Sequence, residues 1–99
     1  MEFKIIWSDA ALADLHDICS YLAERRPKAA IEIGEGILDH VQILSSFPFI
    51  GPPYPRGARG PLRHIVFGNY RIFYDVSEHA RTVEILHVWH GAREEPQSL

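Results

Sequence analysis

Apolar positions change period twice along the chain. Phe3, Ile5 and Trp7 recur at every second residue, the period that sets one face of a β-strand. From there the spacing becomes three and four. Ala11, Leu12, Leu15, Ile18, Cys19 and Leu22 form one helical stripe, with Ser8 as N-cap and Asp9 in the first turn. Pro27 closes that helix and can open the next, because a first turn tolerates a missing N–H. A second stripe follows: Ala30, Ile33, Ile37, Val41 and Leu44, with Leu38 beside it. So short a connector predicts an antiparallel pair of helices. Gly34 lies within the second stripe, where close approach to the first helix would suit it. Gly36 lies off it, and the pattern supplies no reason for that residue.

Residues 45–61 carry five prolines and three glycines, which excludes a helix or a central strand there. Phe47, Phe49, Ile50 and Tyr54 are expected to pin this loop over the edge of the core. Period two then returns. The stretches 62–67 and 70–76 are rich in β-branched and aromatic residues and flank Gly68-Asn69, a hairpin signal because Gly supplies positive φ. A third run, 82–90, follows the polar connector 77–80. Tyr70, Ile72, Tyr74 and Val76 are expected to face the helices, with Arg71, Phe73 and Asp75 on the opposite side. In the last run Val83, Ile85, His87 and Trp89 alternate with Thr82, Glu84, Leu86, Val88 and His90, and both sets are largely apolar. That suggests a strand covered on both faces over part of its length. The expected fold is α+β, one domain over residues 1–99: a short N-terminal strand, a helix hairpin and a three-stranded antiparallel meander packed on the helices.

Composition narrows the class. The 99 residues are 46% hydrophobic and 23% charged, which fits a globular domain. No apolar run approaches the ~18 residues of a membrane span, and the N-terminus lacks the features of a secretory signal. The single cysteine, Cys19, excludes an internal disulfide and fits a reducing cytoplasm. The net charge of −3 argues against generic nucleic-acid binding. Its distribution says more: residues 1–55 hold four Lys/Arg against eight Asp/Glu, and residues 56–93 hold six Arg against three. The sheet half is basic and uses only arginine, the side chain for bidentate contact with carboxylate or phosphate.

Candidate chemistry starts from those arginines. Arg63 and Arg71 flank the hairpin, and Arg93 follows the last strand; on one face or edge they would form an anion-recognising cluster. The alternative is ordinary surface pairing with Asp75, Glu78 or Glu84, worth about 0–1 kcal/mol each. His64 and His90 are acid/base candidates near neutral pH. His87 reads as a half-buried, hydrogen-bonded residue. His87 and His90 point to opposite faces of a strand, which is poor metal geometry, and no metal or other cofactor is expected.

Five segments in order then carry a resemblance over nearly the whole chain. They are Trp7-Ser8-Asp9-Ala10-Ala11, Phe47-Pro48-x-x-Gly51, Leu62-Arg63-His64, Tyr70-Arg71-Ile72-Phe73-Tyr74 and Val88-Trp89-His90-Gly91-Ala92-Arg93. Together they resemble the RelE/ParE toxin superfamily. The resemblance implies a cytoplasmic toxin of a type II toxin–antitoxin, or plasmid stabilisation, pair, held silent by a cognate antitoxin in a hetero-oligomer. RelE-like members cleave messenger RNA on the ribosome, and this reading would use Arg63, Arg71 and Arg93 for phosphate, with His64 or His90 as acid/base. ParE-like members inhibit DNA gyrase by binding, and here Arg63, Arg71, His90 and Arg93 would grip the target. The chain has only Lys4 and Lys28 as lysines and no aromatic residue after Trp89, whereas RelE-like ribonucleases carry further lysines on the sheet. Its ending His-Gly-Ala-Arg is closer to ParE. The resemblance therefore implies a ParE-like member, with the ribonuclease as the alternative and a degenerate, non-toxic interaction module as a third reading.

Overall fold

The computed structural model describes residues 2–54 and 62–91. Along them run β1 (Lys4–Trp7), α1 (Asp9–Arg25), α2 (Pro27–Val41), α3 (Ile43–Ser46), β2 (Pro53–Tyr54), β3 (Leu62–Phe67), β4 (Tyr70–Ser77) and β5 (Thr82–His90). The strands form one sheet of order β1-β5-β4-β3-β2. β3, β4 and β5 are the antiparallel meander, and β1 joins its far side parallel to β5, with Trp7 opposite Ile85. The hairpin turns at Gly68, whose φ of 57° is the left-handed conformation that glycine adopts without strain.

The helices start and stop for local reasons. Ser8 accepts the Ala11 N–H through Oγ at 3.0 Å and so caps α1. Arg26 alone separates α1 from α2, and Pro27 occupies the first turn of α2. The two helices pack on each other and over one face of the sheet. At Gly34 an added Cβ would lie 3.1 Å from Cys19 Sγ, so glycine there permits the close approach. Gly36 now has a reason too. A Cβ at that position would overlap the Phe67 ring, which lies against the α2 backbone.

Tyr70, Ile72 and Tyr74 do face the helices, with Val76 partly buried beside them. They join Ala11, Ile37, Val41, Leu44, Ile65, Val83, Ile85 and Val88 in the main core. Phe3, Ile5 and Trp7 pack against it, as their alternation predicts. Several details differ from the sequence reading. Leu12 is 49% exposed, because α1 turns a narrower face to the core than its apolar stripe suggests. The second helix breaks at Gln42, and Leu44 is buried from α3 instead. The proline-rich stretch supplies an edge strand, β2, two residues long and paired with Leu62 and Arg63; proline is tolerated there because an edge residue has one unpaired side. Within that stretch Tyr54 is buried, but Phe47, Phe49 and Ile50 are exposed.

The last strand departs most. The register shifts between Phe73 and Tyr74, so Tyr74 lies opposite Ile85 and Phe73 opposite His87, leaving Leu86 extra. Such a bulge breaks period two. Val83, Ile85 and then Val88 face the helices, whereas Leu86 and Trp89 pack on the other face against Tyr54, Leu62 and Phe73. β5 is therefore apolar on both faces, but His87 and Trp89 do not share a side with Val83 and Ile85.

Candidate functional site

β1 stops opposite Ile85, so the rest of β5 presents an edge. α1 closes it. Ser8 Oγ donates to the Leu86 carbonyl at 3.1 Å. One Asp14 oxygen accepts the Val88 N–H at 3.0 Å and lies 3.2 Å from His87 Nδ1. His87 is thus the half-buried, hydrogen-bonded residue expected. Asp14 was not singled out by sequence, because nothing in helical spacing reveals a partner 74 residues away.

Strand alternation separates the candidate arginines. Arg63 lies opposite Tyr74, on the helix side, whereas Arg71 lies opposite Val66 and Trp89, on the other side. One surface carrying both is therefore corrected to two. Arg63 is a brace. Its Nη1 donates to the Gly51 carbonyl at 2.7 Å and to the Phe49 carbonyl at 3.3 Å, and its guanidinium lies 4.9 Å from the Phe49 ring centre. The buried Tyr74 hydroxyl accepts the Gly51 N–H at 3.0 Å, and burial raises the Tyr74 pKa above its ordinary value near 10. Any side chain at Gly51 would strike the His64 carbonyl.

Arg71 belongs to an aromatic face. Its guanidinium lies 5.9 Å from the Tyr54 ring centre, and Tyr54 meets Phe73 edge-on at 5.0 Å and His64 at 5.4 Å. Burial first, and the Arg71 charge second, lower the His64 pKa below its usual 6.5, so the imidazole is neutral at pH 7. Among the described residues, His64 Nδ1 and Trp89 Nε1 are buried with no hydrogen-bond partner. Farther along the same face Asp75 sits directly opposite Glu84, both exposed, a like-charge pair that repels a polyanion.

His90 comes from the helix side, edge-on to Tyr70 at 5.3 Å. It nevertheless meets Arg71 at the hairpin end, where Val66, Gly68, Asn69, Tyr70, Arg71, His90 and Gly91 line a hollow of about 500 Å³. The Gly91 N–H closes that end on the Asn69 carbonyl at 2.6 Å. The structure therefore brings Arg71 and His90 together, keeps His64 beside Arg71 and places Arg63 elsewhere. Arg93 lies outside the described residues. Among the described residues no group of His, Cys, Asp and Glu could hold a metal ion.

This arrangement can be set against known proteins. The family model for the ParE toxin of the type II toxin–antitoxin system parDE matches residues 5–95. The chain belongs to the ParE toxin family. It is a toxin of a type II toxin–antitoxin system. No curated protein matches this ParE-family chain. Solved structures do. A chain of the chromosomal ParDE TA system from P. aeruginosa is similar with TM-score 0.74 at 20% identity, over 89% of this chain and 95% of that one. A chain of the toxin–antitoxin complex RelBE2 from Mycobacterium tuberculosis gives 0.60 at 28% identity, covering 91% and 99%. A chain of the archaeal RelE–RelB complex from Pyrococcus horikoshii OT3 gives 0.67 at 19% identity, covering 95% and 100%. These likenesses fit the order strand, helices and antiparallel sheet. Among the described residues no helix is long and apolar enough to cross a membrane.

Proposed function

We propose that this toxin acts in the cytoplasm by binding DNA gyrase, as the poison of a plasmid stabilisation pair, and that it is not a nuclease. The observation that carries the reading is the separation of the arginines. Cleavage of RNA needs cationic groups converging on one phosphate, because charge develops there in the transition state. Arg63 instead spends its donors on the Gly51 and Phe49 carbonyls, on the face opposite Arg71. The Asp75–Glu84 pair on the Arg71 face, a net charge of −3 and the scarcity of lysine also disfavour a polyanion. Arg71, His90 and Arg93 are the target-binding residues in this reading, and Arg63 acts by holding the 47–52 segment.

The test is gyrase supercoiling in vitro with toxin freed from its antitoxin. Loss of supercoiling, reversed by antitoxin, is the expected result; full supercoiling at excess toxin defeats the proposal. The ribosome-dependent ribonuclease remains the second reading, because neutral His64 sits on the same face as Arg71. It requires mapped cuts in messenger RNA on induction, and their absence alongside blocked supercoiling removes it.

A further inference from the structure

The hollow at the hairpin end has a further cation beside it. Tyr70 and His90 are directly opposite on β4 and β5, and their rings meet edge-on at 5.3 Å. Burial, and then Cys19, raise the Tyr70 pKa above its ordinary value near 10, and the Arg26 charge opposes them. The Arg26 guanidinium therefore lies within electrostatic reach of that hydroxyl, from the junction of α1 and α2. Arg26 is exposed, and its main chain is held by the Leu22 carbonyl at 2.6 Å and the Ala30 N–H at 3.1 Å. Among the described residues its side chain has no hydrogen bond or ion pair. Neighbouring Arg25 is engaged: Nη1 donates to the Tyr21 carbonyl at 3.4 Å and lies 3.8 Å from Glu24, with the guanidinium 4.1 Å from the Tyr21 ring centre.

The cationic patch is short and bounded by acids. On the outer face the way from Arg71 leads over Phe73 and neutral His64 to the paired Asp75 and Glu84. On the helix side Glu24 and Glu32 are exposed in the turns adjoining Arg26. A nucleic-acid backbone needs cations repeated along its track, which this surface does not supply. The hollow also holds exposed Val66 and the small residues Gly68 and Gly91, which suit the apolar stem of a side chain from a folded partner. A guanidinium takes a carboxylate through two parallel hydrogen bonds. We propose that the toxin's target presents a short acidic segment here, with one carboxylate in the Arg71–His90 hollow and a second reaching Arg26 across Tyr70. This rests on the reading of Arg71 and His90 as target-binding residues. It adds the chemistry of what they hold and a further binding residue, Arg26.

Two probes of equal charge on the antitoxin-free chain test it: an end-blocked tetraglutamate peptide and a single-stranded pentanucleotide, each followed by amide chemical shifts. The peptide is expected to shift Asn69, Tyr70 and Gly91 saturably and to bind about tenfold or more tightly than the nucleotide. Arg71→Gln should weaken peptide binding about tenfold and Arg26→Gln about threefold, whereas Arg25→Gln, which removes the same charge one residue away, should change it less than about twofold. Tighter binding of the nucleotide, no peptide shift at the hairpin end of the native chain, or equal effects of Arg25→Gln and Arg26→Gln overturns the proposal. Competition between gyrase and the peptide supports it, and displacement by antitoxin but not by gyrase overturns the occupant. Blocked supercoiling without peptide binding removes this inference alone. Peptide binding with full supercoiling supports the acidic ligand and defeats only gyrase as its source.

Discussion

Gly36 shows how a residue that local propensity disfavours can be set by a contact. Alanine would improve the helix by about 1 kcal/mol. A Cβ, however, meets the Phe67 ring, and forcing an atom into a packed site costs roughly 1–3 kcal/mol. Gly36→Ala should therefore lower the urea midpoint, and Gly36→Ala with Phe67→Leu should recover most of the loss. An unchanged midpoint in the single variant would refute the contact. No helical pattern could reveal this, since Phe67 is 31 residues away on a strand. His64 allows a pH prediction. Its folded pKa lies below the unfolded value near 6.5, so the unfolded chain binds more protons in between. Its contribution is complete above about pH 6.5 and is lost as pH falls through the folded pKa. Melting temperature should consequently fall more between pH 7.5 and pH 5 in the native chain than in His64→Gln; parallel profiles would contradict the assignment.

At the level of elements, alternation and helical spacing made the meander, both helices and the Ser8 cap legible. They could not reveal the bulge at Leu86, because one extra residue leaves composition unchanged while reversing which residues share a face. β2 was hidden for another reason: two residues carry no period, and proline argues against a strand except at an edge. The same limit applies to the arginines, whose faces follow once β3 and β4 are in register. The tie between α1 and β5 is testable. Asp14→Ala leaves the Val88 N–H and His87 without their carboxylate, at a cost of about 1–3 kcal/mol. Calorimetry should show that loss and exchange at Val88 should accelerate; an unaltered Val88 amide would show that the bond contributes nothing. Tyr74→Phe strips the Gly51 N–H of its buried acceptor, with a similar expected loss in stability.

Across the whole molecule, the Arg63–Gly51–Tyr74 latch and the Asp14 tie hold opposite margins of one sheet, and the candidate target residues lie apart from the first. Toxicity and stability should therefore separate by mutation. Arg71→Ala with His90→Ala should abolish growth arrest while the urea midpoint stays close to that of the native chain; a parallel loss of both would mean that these residues hold the fold and not the target. The parallel pairing of β1 with β5 carries a further consequence. Residues 4–7 are synthesised well before their partners, residues 82–85, so this edge of the sheet cannot close until the later strand has been made. A chain stopped before residue 82 lacks the strand that joins β1 to β4, and it is expected to be inert as a poison when expressed without antitoxin.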